Sequence, residues 1–173
     1  MTVGDTAKIM EIITVAYPRF YAGADKDKSL KLWAALFSDD NPHEVAVAVK
    51  AFITSDTSGY PPTIGQIKSL MVETALSSLP SAFEAWQHIK RAIDPDNGQG
   101  FDKLSDLEKR VVGSPYQLRA WSWLETSELE TVVASNVQKA YRELVERERQ
   151  QMMLPANIKT EIENISKQKL LEE

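Results

Sequence analysis

Apolar residues recur at three-and-four spacing along most of this chain, the period of helices that bury one face. Ile9, Ile12, Ile13, Ala16 and Tyr17 form the first such stripe, and Pro18 closes it, since a helix seldom runs past the residue before a proline. Leu30, Trp33, Leu36 and Phe37 form the second, with a cap expected at Asp27 or an immediate neighbour. Asn41-Pro42-His43-Glu44 is a compact start signal: a capping Asn, proline at N1 and an acid near the positive helix end. The third helix should run from Pro42 to about Thr54 with Val45, Ala48, Val49 and Phe52 inward. Its β-branched residues lower helix propensity, so tertiary packing must hold it.

The stretch Tyr60-Pro61-Pro62-Thr63-Ile64-Gly65-Gln66-Ile67 predicts a hard corner. Two prolines keep the backbone extended, Thr63 and Gln66 have the spacing of a capping box, and Pro62 and Ile67 are placed as a hydrophobic staple. The helix that follows should reach about Ser78 with Ile64, Ile67, Leu70, Met71 and Ala75 inward. Gly65 in its first turn either admits another helix closely or is a plain cost in propensity. Four short helices can close a core, which places an N-terminal domain at residues 1–76.

Beyond Pro80 the pattern continues. Ser81 and Glu84 predict a capping box for a helix burying Phe83, Trp86, Ile89 and Ile93. Ser105 and Glu108 predict another, through Leu107, Val111 and Val112 to a Gly113 C-cap. Ser114-Pro115 opens a helix carrying Leu118, Trp121, Trp123 and Leu124, and Ser127 with Glu130 suggests one more box. From Leu129 a stripe of Val132, Val133, Val137, Ala140, Tyr141, Leu144 and Val145 runs toward Leu154, where Pro155 stops it. Some 25 residues is long for a globular helix, so its end is expected to project or to pack on a partner. Residues 80–154 are thus read as a C-terminal helical region. Residues 155–173, with Ile158, Ile162, Ile165 and Leu170 among many charges, are read as a marginal helix or a disordered tail. The fold class is all-α.

Composition narrows the chemistry. The chain of 173 residues is 43% hydrophobic and 26% charged, as a water-soluble protein is, and has no apolar run long enough to cross a membrane. Its first residues are acidic and polar where a signal peptide would be basic and then apolar, so a cytoplasmic protein is expected. Zero cysteines exclude disulfides and thiolate metal sites. A net charge of −5 opposes nucleic-acid binding in bulk. Local basic residues exist at Lys90-Arg91, Lys109-Arg110 and Arg142, Arg147 and Arg149, but Glu143, Glu146 and Glu148 interleave with the last group. Weak or no direct nucleic-acid binding follows.

Catalytic residues are scarce. His43 and His88 stand apart in helices, and the zinc-protease, nucleophile-elbow and phosphate-loop motifs are all absent. The Asp94-Pro95-Asp96-Asn97-Gly98 loop begins like a calcium site, yet the fifth, sixth and twelfth positions hold Gly98, Gln99 and Ser105 in place of an oxygen ligand, glycine and glutamate. No enzyme, cofactor or metal is expected. What the second half does offer is a docking helix from Tyr141 to Leu154, with an aliphatic stripe, arginines for directional rim contacts, and adaptable Met152 and Met153.

Trp33 and Leu36, the corner at residues 60–67, the Ala85-to-Ile93 segment, Phe101, Leu104, Val111-Val112-Gly113, Trp121 and the Lys139-to-Arg149 run occur in an order that resembles the bacteriophage replicative helicase loader and inhibitor family, over roughly residues 5–158. The resemblance implies a non-enzymatic adaptor of phages that infect Gram-positive bacteria, working in the host cytoplasm. It would bind the hexameric replicative helicase, inhibit it in solution, and help load it at the phage origin through an origin-bound replisome organiser. Trp33, Phe52, Pro62, Thr63, Ile67 and Trp86 would then be scaffold. Helicase binding would fall to Tyr141, Leu144, Arg147, Arg149, Leu154 and Trp121. The alternatives are a DNA-binding replication-initiation protein or a structural or regulatory phage protein. An apolar seam on the long helix would make a homodimer unsurprising.

Overall fold

The computed structural model describes residues 1–21, 24–93 and 99–171, the last three of these by backbone only. Every regular element in them is helical, so the fold is all-α: short N-terminal helices, further short helices and a long helix toward the C-terminus. The calcium-like loop at residues 94–98 and the side chain of Leu170 lie outside the described residues. Among those that are described, no helix is long and apolar enough to cross a membrane. The chain divides into two compact units, Met1–Ser77 with Gln150–Glu173, and Ser78–Arg149.

The first unit is built from α1 (Val3–Ala16), α2 (Lys26–Leu36), α3 (Pro42–Ser55) and α4 (Ile64–Leu76). Its core joins Ile9, Met10, Ile13 and Tyr17 of the α1 stretch to Trp33 and Phe37, to Val45, Ala48 and Val49, and to Ile67. Trp33 stacks on Phe37 with ring centroids 5.4 Å apart, and Phe20 meets Trp33 edge-on at 5.9 Å. The corner forms as its local chemistry dictates. Thr63 Oγ1 accepts from Gln66 N–H, the Gln66 carboxamide oxygen accepts from Thr63 N–H, Pro62 is buried, and Ile67 is fully enclosed.

Several local expectations shift. Asp25, not Asp27, caps α2, taking both Asp27 N–H and Lys28 N–H. A capping box between Thr2 and Asp5 starts α1 two residues before its apolar stripe was read to begin, and Ala16 is exposed. In α4 the inward residues are Ile67, Lys68 and Val72, while Ala75 is exposed. The cause is Lys68, whose ammonium is paired with Asp40 and lies 4.8 Å over the Phe37 ring, so a charged residue occupies an interior position. Open space surrounds Gly65, which makes that glycine a plain propensity cost.

Asp56 ties the α3–α4 loop down. Its carboxylate accepts from Ser58 Oγ–H, Ser58 N–H, Gly59 N–H and the Tyr17 hydroxyl. These bonds, the Ser58 hydroxyl foremost, lower its pKa to about 2, and burial with the Asp56 bond pushes Tyr17 up to about 12. A carboxylate depressed in the folded state contributes stability that is full above its unfolded pKa of about 4 and is lost as pH falls toward 2. Urea midpoints measured at pH 5, 3 and 2 should therefore fall less steeply for Asp56→Asn than for the wild type; parallel profiles would show that Asp56 does not carry the loss.

The residues from Gln150 onward that group with the first unit include α10 (Ala156–Leu171). Its first amide, Ala156 N–H, donates to Asp39 Oδ2 at 2.6 Å, and that bond is the main cause holding the Asp39 carboxyl below its ordinary value. Pro155 is buried, whereas Ile162 and Ile165 are exposed.

The second unit contains α5 (Ala82–Arg91), a 3-10 turn (Gln99–Lys103), α6 (Asp106–Val112), α7 (Pro115–Trp121), α8 (Thr126–Glu128), a π-helical segment (Leu129–Val133) and most of α9 (Ala134–Met153). Trp86, Ile89, Ala92, Leu104, Val112, Leu118, Val133, Ala134 and Val137 make its core. The boxes at Ser81/Glu84 and Ser105/Glu108 form, and Gly113 closes α6 at φ 85°. Phe83 is exposed, contrary to the sequence reading: at about 100° per residue, the face set by Ala85, Trp86, Ile89 and Ala92 points well away from it. Ser114 makes no side-chain cap. Glu125 precedes α8 without capping it, so the expected Ser127 box does not form. Glu130 is instead ion-paired with Lys90.

Candidate functional site

The residues expected to dock a partner follow α9, and the local geometry sorts them. The π-helical turn ends with Ala134 N–H donating to Leu129 C=O, one residue beyond an α-helical bond. After it the inward face of α9 is Ala134, Val137 and Tyr141, a three-then-four step. Tyr141 is 2% exposed, so its ring lies within the second unit and off the docking surface. Its hydroxyl is buried without a hydrogen-bond partner, and burial, followed by the charge of Glu108, raises its pKa.

Glu108 is buried too. One carboxylate oxygen accepts from Ser105 N–H, and the other lies 3.1 Å from His88 Nδ1. The capping residue thus doubles as an interior acid, a role the S-x-x-E spacing does not reveal. Among the described residues no group of three or more His, Cys, Asp or Glu could hold a metal.

The remaining docking candidates occupy different places. Leu144 is half-buried and Arg147 exposed, and they lie about 60° apart on one flank of α9. Arg149 lies about 160° from Arg147 and is ion-paired with Glu146 at 3.8 Å. Arg110 is ion-paired with Glu148. Leu154, partly exposed, belongs to the first unit. Trp121 packs half-buried against the core of the second. The predicted set is therefore one exposed flank, one opposite flank and two residues that support the helix from beneath. The apolar seam that suggested a homodimer, Val133 to Tyr141, is covered inside the second unit.

The sequence reading missed the outer face of α7. Tyr116 and Trp123 are 82% and 75% exposed, and Arg119 and Ala120 between them are exposed as well. Trp123 was read as continuing the inward stripe, but Leu118 and Trp121 set that stripe, and two residues further on the side chain points about 200° away. The signal was present in the i, i+3, i+4, i+7 spacing of these four residues.

The first unit also holds an open apolar groove of about 420 Å³ between α3 and α4, with Val47, Ala48, Ala51, Leu70 and Met71 in its walls and His43 and Glu44 at its rim. Neither rim residue is placed for acid–base chemistry with a third group, so the groove is a surface for contact.

Comparison with known families gives a match over residues 1–68 to the family described as the phage gene 39 protein, N-terminal domain. The matched span takes in α1 to α3, the proline corner and the start of α4, whereas the resemblance read from the sequence ran to about residue 158. No curated protein and no solved structure matches the chain. The family consists of non-catalytic loaders and inhibitors of phage replicative helicases, a role that needs surfaces of the kind described above and no reaction centre. Through the helical domain at its N-terminus, this chain belongs to the gene 39 protein family of helicase loaders and inhibitors.

Proposed function

We propose that this protein binds the hexameric replicative helicase, holds its ATPase and unwinding in check in solution, and delivers it to the phage origin through an origin-bound replisome organiser. The family match across the N-terminal domain carries this reading. The second unit supplies the helicase contacts: Leu144 and Arg147 on one flank of α9, Arg149 on the other, and Leu154 beyond them, with Tyr141 and Trp121 holding the helix in place. Arginine offers bidentate bonds to carboxylates at such a rim, and leucine offers apolar anchorage. Direct nucleic-acid binding is weak in this reading, because Lys90 and Arg110 are engaged by Glu130 and Glu148 and the net charge of −5 repels phosphates.

Titrating the purified chain into the hexameric helicase tests it. A stoichiometric complex, falling ATPase and no hydrolysis by the chain alone are the expected results. Arg147→Glu should weaken the complex about tenfold, as reversal at a charged rim contact does. Tight, salt-sensitive binding to origin DNA without any helicase complex would replace this reading with the initiation-protein alternative.

A further inference from the structure

We infer that the outer face of α7, formed by Tyr116, Arg119, Ala120 and the following Trp123, is a second helicase-contacting surface, taking a helical segment that presents a carboxylate between apolar side chains. The inference rests on the helicase reading above and adds a surface to it. The four residues recur at the spacing that lines one side of a helix, and all four are exposed. The opposite side is fixed: Leu118 is fully buried and Trp121 packs on the core of the second unit. The exposed residues are thus presented on a held element, so docking orders little that is not already ordered.

Their chemistry selects the occupant. Tyr, Trp and Arg are the residue types that dominate binding energy at protein interfaces, and Ala120 leaves room between the two rings for an incoming side chain. Arg119 makes no ion pair among the described residues, whereas Lys90, Arg110 and Arg149 in the same unit all have carboxylate partners. A guanidinium flanked by two exposed aromatic rings is completed by a carboxylate with apolar neighbours. A nucleic-acid strand could stack on the rings, but it would meet a single cation on a chain of net charge −5.

The test measures affinity of the full chain for the hexameric replicative helicase by calorimetry, with Trp123→Ala, Arg119→Glu and the control Val15→Ala, an exposed position in the first unit. Trp123→Ala and Arg119→Glu should each weaken binding by at least about tenfold, with unchanged circular dichroism and melting temperature, and Val15→Ala should bind as the wild type does. If the wild type binds and both variants bind equally well, the α7 surface is overturned and the adaptor reading stands. If the wild type does not bind, the adaptor reading fails and this inference with it. Two further outcomes would overturn it in favour of another occupant: loss in Trp123→Ala of binding to an oligodeoxythymidylate, or a change in the sedimentation of the chain alone in Arg119→Glu. Should Trp123→Ala fold poorly, Arg119→Glu and Arg119→Gln decide the matter, since the Arg119 side chain holds no hydrogen bond or ion pair within the described fold.

Discussion

Replacing Asp40 with alanine is expected to destabilise the first unit by about 3–5 kcal/mol, the cost of leaving a buried charge without its partner. The Lys68 side chain is only 6% exposed and that of Asp40 only 18%, so little water can take the place of the lost carboxylate. Phe37 beneath the ammonium cannot make up the loss, because a cation–π contact is worth about 0.5–2 kcal/mol. The double variant Asp40→Ala with Lys68→Met should recover most of the stability, since both members of a buried pair can be exchanged for apolar groups at little cost. Urea unfolding gives the magnitude. Hydrogen exchange at Val45, Val49 and Ile67 locates it, as all three lie in the core that Lys68 borders. A loss under about 1 kcal/mol would mean that the pair is solvated and behaves as a surface salt bridge.

Lys68 also shows where sequence reading stops. Capping boxes at Thr63, Ser81 and Ser105 were legible because each closes within four residues, and the helix start at Asn41-Pro42 was legible for the same reason. Burial of a lysine depends on Asp40, which lies 28 residues away, and helical periodicity cannot register such a partner. The π-helical turn at Leu129–Val133 is similar: packing into the second unit selects it, not propensity, and it decides which residues of the long helix face inward. Hence Tyr141, read from the sequence as a docking residue, lies buried. The stripe logic that identified the helix could not tell a stripe covered by its own domain from one left for a partner.

The candidate surfaces divide along the same line. Exposed arginines on α9 were legible from charge patterning, since charges on a helix seldom face a core. The α7 face was not, because Tyr116 and Trp123 look like core residues to any reading based on hydrophobicity. Only the position of Leu118, fully buried, shows which side of that short helix is turned in.

Gly100→Ala is expected to destabilise the second unit by about 3 kcal/mol, at the upper end of the usual cost of overpacking. A Cβ on Gly100 would lie 2.1 Å from the Ala92 carbonyl oxygen and 2.8 Å from the carbonyl carbon, and both are backbone atoms that no rotamer change can move aside. Relief requires the 3-10 turn Gln99–Lys103 to draw back from the end of α5. Phe101 and Leu104, which this turn feeds into the Trp86 cluster, would be displaced with it. Hydrogen exchange should then rise through α5 and α6 while α1 to α4 keep their protection, because the two units have separate cores. Gly65→Ala is the control: its added methyl meets nothing within 4 Å, so stability should hold or rise slightly. If Gly100→Ala were to unfold within about 0.5 kcal/mol of the wild type, the turn would have to shift freely. The close backbone contact would then have no part in holding the second unit, and with it α7 and α9, in the form proposed to meet the helicase.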